Sequence, residues 1–225
     1  MHVPFLPSIT TTIGVSKSKL SIVREGFPYI LAPALGALLL FVFGYWVIGI
    51  VLVLLTLSMA FFFRDPRRKP PSDPNIVVAP ADGRVTRVRK VVPEEDGSPT
   101  LVSIFLSPLD VHVNRAPIAG LIRDISYVPG KFLMATNEMA SAVNEQNALT
   151  IEGEKVTVVC KQIAGILARR VVCWKHKGDR VSLGERFGLI KFSSRTDVIL
   201  PRQVEVLIQE GSRVQGGTTV IGRIR

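Results

Sequence analysis

A short segment after a predicted strand carries four side chains suited to acid–base chemistry. They are a carboxylate, an imidazole, an amide and a guanidinium, contributed by Asp110, His112, Asn114 and Arg115. A histidine with such neighbours can change its protonation state near neutral pH, and can accept or donate a proton during a reaction. A purely structural histidine would fit the same spacing. We therefore take His112 as a candidate acid–base residue.

A second candidate is the pair of adjacent serines, Ser193 and Ser194, between two apolar stretches. A serine hydroxyl attacks efficiently only when a base removes its proton and the target bond is held in position. The pair is equally compatible with a simple turn or bulge between strands. No G-x-S-x-G elbow is present, so the sequence gives no independent support for a serine-hydrolase triad.

The segments around these residues are predicted to be mostly β. The pattern G-x-R-V-x-x-G occurs at 178–184 and again 33 residues later at 211–217, each time before a short apolar stretch. Such a repeat suggests two similar strand-turn-strand units packed together, as in small barrel-sandwich folds. Residues 133–148 fit a helix or a loop. Further strands are predicted within 76–92, 101–106, 151–159 and 163–172.

The N-terminal part of the chain contains a long uncharged stretch. Residues 27–63 form 37 consecutive positions without a charge, whereas one bilayer crossing needs about 20 apolar residues. Two short helices that turn near Gly44, Tyr45 and Trp46 fit this length better than one long helix. Lysines and arginines on both flanks predict a membrane hairpin with both ends in the cytoplasm.

Composition narrows the class of protein. The chain has 225 residues, a formal charge of +10, 47% hydrophobic residues and two cysteines. These values exclude a disordered chain and a disulfide scaffold. No dense run of Lys and Arg with interleaved aromatics suggests nucleic acid, and no C-x-x-C spacing suggests zinc. A basic protein with a membrane hairpin is expected to lie against anionic lipid head groups.

Several of these segments together resemble one family. The chain is similar to phosphatidylserine decarboxylase proenzymes, specifically to their short, membrane-associated group. The resemblance covers about residues 60–201, and its motifs follow the family order. The matching segments are Phe62–Arg67, Ala79–Gly83, Leu106–Pro117, Asn144–Glu145, Gly184–Gly188 and Ser194–Arg195.

The resemblance implies a prosthetic group that the protein makes from its own backbone. Ser194 would attack the preceding carbonyl and cleave the Ser193–Ser194 bond, which leaves a large subunit and a small subunit that begins with a pyruvoyl group. The pyruvoyl ketone would form a Schiff base with phosphatidylserine in the membrane and release phosphatidylethanolamine, with no metal. The family places the partner of His112 at Asp82. His112 would also donate the final proton, and Arg115 and Asn114 are candidate substrate-binding residues.

Two positions depart from the family pattern. Ser193 stands where the family usually has glycine, and its side chain is expected to crowd the attacked carbonyl and slow cleavage. Larger family members carry a second histidine at the position of Arg115, so either His112 serves both self-cleavage and decarboxylation or another group helps in one of them. Four arginines are candidate contacts for lipid phosphate. They are Arg64, Arg67, Arg68 and Arg115.

We therefore predict a mostly β (α+β), barrel-sandwich-like domain with few helices, preceded by an N-terminal hydrophobic helical hairpin. The protein would act at the cytoplasmic face of the inner cell membrane, with no nucleic-acid partner; a homo-oligomer stays open. The alternatives are a non-enzymatic membrane adaptor and a decarboxylase of a related serine ether lipid. The predicted parts are a tail at 1–26, a membrane hairpin at 27–63, a basic, proline-rich linker at 64–75 and a catalytic domain at 76–225.

Overall fold

The uncharged stretch folds as two antiparallel helices. The computed structural model describes residues 21–93, 97–134, 139–165, 170–192 and 194–225. Helix α1 (Phe27–Val42) and helix α2 (Trp46–Phe62) are joined by a tight turn. Gly44 has φ +79 in this turn, a conformation that glycine adopts without strain.

Close packing holds the two helices together. The ring of Phe41 lies against Gly49, where a Cβ atom would be 2.4 Å from it. Most other side chains of the hairpin are exposed, including Leu35 at 65% and Val47 at 78%. One helix, Arg24–Val42 with its leading turn, is long and apolar enough to cross a membrane, and Trp46–Phe62 is a shorter apolar helix. Exposed apolar helices of this kind are typical of contact with lipid rather than water.

The hairpin is joined to the body at both ends. Strand β1 (Ser21–Ile22) precedes it and pairs antiparallel with β2 (Arg64–Asp65), which follows it. Between α2 and β2, Phe63 is fully buried. Burial of a phenylalanine at this junction stabilises the position of the hairpin on the body by about 2 kcal/mol.

The body contains one large antiparallel sheet. Its central strand, β13 (Ser194–Leu200), pairs with β9 (Thr157–Ala164) on one side and with β5 (Thr100–Leu106) on the other. Alternate residues such as Val198 and Leu200 enter the main hydrophobic core, as expected for a strand with a period of two. In spatial order the strands are β11 (Arg180–Val181), β7 (Gly120–Val128), β8 (Gln146–Glu152), β9 (Thr157–Ala164), β13 (Ser194–Leu200), β5 (Thr100–Leu106), β4 (Gly83–Lys90) and β15 (Arg213–Val214).

The repeated sequence pattern marks the two edges of this sheet. The first copy forms β11 and the second forms β15, at opposite ends of the strand order. The glycines that end the two copies, Gly184 and Gly217, lie against each other. Their backbones have φ +70 and φ +78, so a side chain at either position would be strained and crowded. The curl of the sheet therefore brings the two copies of the pattern into contact just beyond the edge strands.

Two smaller sheets complete the fold. The first has the order β10 (Val171–Cys173), β12 (Arg186–Ile190), β6 (Val113–Arg115), and the second has the order β14 (Val204–Val206), β16 (Val220–Ile224), β3 (Ile76–Val78). The structure is 40% strand and 21% helix, with a curled half-barrel sheet. The predicted fold class is confirmed.

Some predicted bounds differ from the structure. The predicted strand 151–159 is wrong, because a turn at 153–156 separates β8 from β9 and Gly153 donates to the Val156 carbonyl there. In the described residues of the segment predicted as helix or loop, 133–134 and 139–148, there is one helical turn, α3 (Ala140–Val143), before the chain enters β8. Polar residues in a tight turn interrupt a strand although the flanking apolar pattern continues.

Candidate active site

His112 is a buried histidine with one free ring nitrogen. It follows a tight turn in which the Asp110 N–H donates to the Ser107 carbonyl oxygen, and the Ser107 N–H donates to the Asp110 carboxylate. The side chain is fully buried, and its Nδ1 lies 2.9 Å from the Asp110 carbonyl oxygen. A carbonyl oxygen can only accept, so Nδ1 carries the hydrogen. Nε2 is therefore a lone-pair acceptor, and it has no partner among the described residues.

Burial keeps this imidazole neutral. Desolvation lowers the pKa of His112 from 6.5 to about 4, although the Asp110 carbonyl and carboxylate oppose the shift. The positive charge of Arg64 adds to the lowering. At neutral pH the side chain is thus a base with an available lone pair at Nε2.

Ser194 is another buried residue with a polar atom that makes no hydrogen bond. It is the first residue of β13 and is paired with Leu106 on β5 and Ala164 on β9. Its side chain is fully buried, and Oγ has no hydrogen-bond partner in the described part of the chain. Because buried polar atoms in proteins are nearly always paired, an unpaired hydroxyl marks a functional candidate.

The backbone just before the serines is strained. Phe192 has φ +56, a left-handed conformation that is unfavourable for a bulky residue. It lies in the short link between β12 and β13. Such strain persists only where the surrounding packing imposes it, and it clusters at reactive sites. Ser193 itself lies outside the described residues.

An aromatic stack connects His112 with this strained link. The ring of Phe62, the last residue of α2, lies 4.2 Å from the His112 ring and 4.5 Å from the Phe192 ring, centroid to centroid. The Ile190 N–H also donates to the His112 carbonyl at 3.2 Å. The link up to Phe192 is therefore held beside His112 by the end of helix α2.

Asn114 is part of a buried amide network. Its Nδ2 donates to the Thr196 hydroxyl and its Oδ1 accepts from Gln162, both at 2.9 Å. Gln162 in turn accepts from Asn147. All four side chains are at most 3% exposed. The network fixes β6 against β9 and β13, so the amide of Asn114 is engaged within the protein.

Arg115 is bonded to the linker that follows the hairpin. Its guanidinium donates to Asp65 at 2.7 Å, and also to the carbonyl oxygens of Pro66 and Gly184. Asp65 is 3% exposed and also accepts from Arg186 at 2.5 Å. The structure thus places Arg115 in the joint between linker and body.

We expect Asp65→Asn to lower the free energy of unfolding by about 3–5 kcal/mol, because it leaves the buried Arg115 guanidinium without its counter-charge. Urea unfolding in detergent measures the loss. Asp124→Asn is the control, since that exposed carboxylate lies 3.8 Å from Lys177 and is expected to contribute less than about 1 kcal/mol. Equal losses for both variants would contradict a stabilising joint at Arg115.

Asp82 has partners other than the histidine. It lies in the turn between β3 and β4, where one carboxylate oxygen accepts from the Gly216 N–H and the other from Arg68, both at 2.7 Å. Burial raises its pKa, and Arg68 opposes that shift. Within the described ranges no hydrogen bond joins Asp82 to His112. Asp82 acts electrostatically on Arg64, and Arg64 acts on His112, so the predicted acid shares a charged neighbour with the histidine and has no described hydrogen bond to it.

Comparison with known proteins identifies the family. Residues 55–222 match the sequence profile described as Phosphatidylserine decarboxylase. The chain belongs to the phosphatidylserine decarboxylase family. The predicted family and the predicted enzyme class, a carboxy-lyase, are confirmed.

Relatives within the phosphatidylserine decarboxylase family align over nearly their full length. A protein of Symbiobacterium thermophilum is 50% identical over 211 residues, which cover 90% of this chain and 95% of the relative. A protein of Solibacter usitatus is 46% identical over 91% of this chain and 97% of its own. One of Carboxydothermus hydrogenoformans is 43% identical, with 93% and 99% covered. All three carry the name phosphatidylserine decarboxylase proenzyme.

Sequence spacing did not reveal the roles that three residues have beside the candidate site. Phe62 stacks on His112, Phe192 carries the strained backbone, and Asp110 orients the imidazole through its main-chain carbonyl. Asp110 was visible within the same short segment as His112. The stack and the left-handed φ leave no signal in spacing, because they depend on contacts between distant parts of the chain.

Proposed function

We propose that this chain converts phosphatidylserine to phosphatidylethanolamine after cleaving its own backbone between Ser193 and Ser194. The observation that carries the proposal is the pair of buried, unpartnered atoms, Ser194 Oγ and His112 Nε2. Two contacts keep their segments together, the aromatic stack through Phe62 and the bond from Asn114 to Thr196. The names of the relatives supply the substrate class.

The cleavage step uses only groups of this chain. His112 Nε2 accepts the hydroxyl proton of Ser194, and Oγ attacks the carbonyl carbon of Ser193. The peptide C–N bond breaks, the nitrogen takes up the proton, and an ester links the two segments. Removal of the Ser194 α-proton then expels the carboxylate of Ser193 and leaves a dehydroalanine. Its enamine takes up one water and releases ammonia, which gives the pyruvoyl group.

Local strain favours this attack. The left-handed backbone at Phe192 stores about 1–3 kcal/mol of strain next to Ser193, and the part of this strain that is released in the transition state would lower the barrier to attack. The stack on Phe62 holds the strained link against the body. Positioning of this kind is the main way in which a backbone bond becomes reactive.

The residues around Ser194 fit a pyruvoyl group in size and polarity. The position is fully buried, between Leu106 and Ala164, and its side-chain oxygen makes no bond that the conversion would break. A pyruvoyl group supplies an electrophilic ketone that withdraws electrons from a bound amine during loss of CO₂. His112 is neutral and screened from water in the resting protein; once Nε2 has accepted a proton, the resulting imidazolium can return that proton to the product.

After cleavage the two subunits are expected to stay together. The small subunit would contain residues 194–225, which form β13, β14, β15 and β16. Strand β13 is hydrogen-bonded on both sides to strands of the large subunit, and its inward side chains enter the main core. Separation of the two subunits would expose that core to water, so noncovalent contacts are expected to hold the subunits together.

The helical hairpin supports a location of the protein at a membrane. An exposed apolar helix of membrane-spanning length precedes the body, with cationic residues on both flanks. We propose that both ends of the hairpin face the cytoplasm and that the catalytic body lies on the inner cell membrane. A substrate that stays in the bilayer is thereby kept beside the body.

The pH dependence of self-cleavage tests the role of His112. The pKa of about 4 means that the base form prevails above that value, so the rate constant should be flat from about pH 6 to 8 and fall by half near pH 4. A gel-based time course of precursor disappearance measures it, with circular dichroism to confirm that the fold persists. A midpoint between about pH 6 and 7 would contradict a buried neutral base.

An intact-mass measurement separates this proposal from a membrane adaptor. The enzyme predicts a fragment that spans residues 194–225 and has a blocked N-terminus reducible by borohydride. A full-length chain that persists in the active form would favour the adaptor. Parallel assays with a serine ether lipid test the related substrate class.

A further inference from the structure

A cleft runs along the end of helix α2. It has a volume of about 500 Å³ and is lined mainly by apolar atoms. Four lining residues lie three or four positions apart and so form one stripe of the helix. Pro108 and Leu109 close the opposite side. The stripe residues are Leu54, Leu57, Ser58 and Phe61.

The cleft connects the exposed apolar side chains of the hairpin with the candidate active site. Its outer part consists of side chains that are exposed on the apolar hairpin, such as Leu54 at 59% and Leu57 at 61%, with Leu109 at 70%. Its inner end is formed by Phe62 and Phe192. Phe62 stacks on His112, and Phe192 lies two residues before Ser194. An apolar path thus leads from the membrane-facing helix to the candidate active site.

A cation lies at the rim of this cleft. The guanidinium of Arg64 is 3.8 Å from the centre of the Phe61 ring, and it donates to the carbonyl oxygens of Phe61 and Leu109 at 2.8 and 2.6 Å. In the described part of the chain no carboxylate forms a salt bridge with it, whereas Arg68 and Arg115 are bonded to Asp82 and Asp65. A guanidinium has five N–H donors. Arg64 therefore retains donors and charge for an anion.

We propose that the cleft holds an acyl chain of the membrane phospholipid substrate and that Arg64 binds its phosphate. The inference rests on the proposed function, and it assigns the lipid-binding subsite of that reaction. Apolar walls match a hydrocarbon chain, and a guanidinium without a bonded carboxylate matches a phosphodiester. With the chain in the cleft and the phosphate at its rim, the serine amine is directed past Phe62 towards Ser194.

Photolabelling tests the cleft without requiring turnover. The Ser194→Ala precursor is reconstituted in vesicles of phosphatidylcholine with phosphatidylserine that carries a diazirine on its acyl chain. We expect label on residues 54–61 and 107–109, and at least a tenfold loss of that label when Ser58→Trp fills the cleft. Leu55→Trp, on the same helix but outside the cleft, is the matched control. Equal labelling of both tryptophan variants would overturn the acyl-chain assignment.

Steady-state kinetics in mixed micelles tests Arg64. Arg64→Gln is expected to raise KM for phosphatidylserine at least tenfold and to change kcat less than threefold, because it weakens binding rather than the chemical step. Lys69→Gln removes one exposed cation from the same linker and should leave both constants unchanged. An unchanged KM for Arg64→Gln would overturn the phosphate assignment.

The proposed function and the lipid-binding subsite can be disproved separately. If wild-type protein neither cleaves itself nor releases CO₂ while the cleft is labelled, the proposed function is wrong and the cleft is not a substrate subsite. If the protein is active and the Ser58→Trp variant keeps normal labelling and normal KM, the proposed function stands and the subsite is wrong.

Discussion

Replacement of Ser194 by alanine is expected to leave the chain uncut and unable to release CO₂. The reason is chemical, because no other atom at this position can attack the carbonyl of Ser193 and become the ketone. A denaturing gel and intact-mass analysis should show one species of 225 residues, where the wild type gives two. Borohydride should find no carbonyl to reduce in the variant.

A second buried serine provides a close control for this prediction. Ser103 lies on the neighbouring strand β5, is fully buried, and has a hydroxyl without a hydrogen-bond partner among the described residues. Ser103→Ala removes the same atom in the same kind of environment, so it should mature at the wild-type rate. If Ser194→Ala still matured and decarboxylated, the self-cleavage proposal would be untenable.

Replacement of His112 by alanine is expected to slow self-cleavage by about 10²–10⁴-fold, the usual contribution of a positioned general base. The imidazole presents an unprotonated Nε2 because its Nδ1 hydrogen is donated to Asp110. Without it, water has little access to the buried hydroxyl of Ser194. The time course of precursor disappearance after synthesis in a cell-free system measures the effect.

Two further variants make this result specific. His176→Ala removes an imidazole that is 88% exposed, and it should not change the rate. Asp82→Asn keeps an acceptor for the Gly216 N–H but removes the charge that pairs with Arg68. If Asp82 assists His112, its loss should shift the pH profile of cleavage as well as the rate. An unaltered cleavage rate in His112→Ala would exclude this histidine as the base.

The end of the helical hairpin also contributes to the candidate site. Phe62 is 4% exposed and contacts both the His112 ring and the Phe192 ring. Because the same residue ends helix α2, a change in how the hairpin sits on the body would move the base and the strained link together. The position of the hairpin and the arrangement of the candidate site are therefore coupled through one side chain.

Much of this protein was determined by local sequence. The uncharged stretch of 27–63 predicted two helices, since hydrophobic length and a glycine turn are local properties. Valine-rich stretches separated by turn residues predicted a mostly β body, and the repeated G-x-R-V-x-x-G pattern predicted two matching units. His112 and Ser194 were selected because short motifs place the required side-chain types next to each other in the chain. Their catalytic roles remain predictions.

Only the tertiary structure decided how these residues are bonded. Asp82 forms a salt bridge with Arg68 and is not bonded to His112. Arg115 forms a salt bridge with Asp65, so its guanidinium is already engaged within the protein. The unused nitrogen of His112 follows from a main-chain carbonyl that spacing cannot assign. Local backbone geometry fixes the periods of helices and strands, and these periods can be read from the spacing of residues in the sequence. Which distant side chains meet, and which buried atoms stay unpaired, depends on how the whole chain packs.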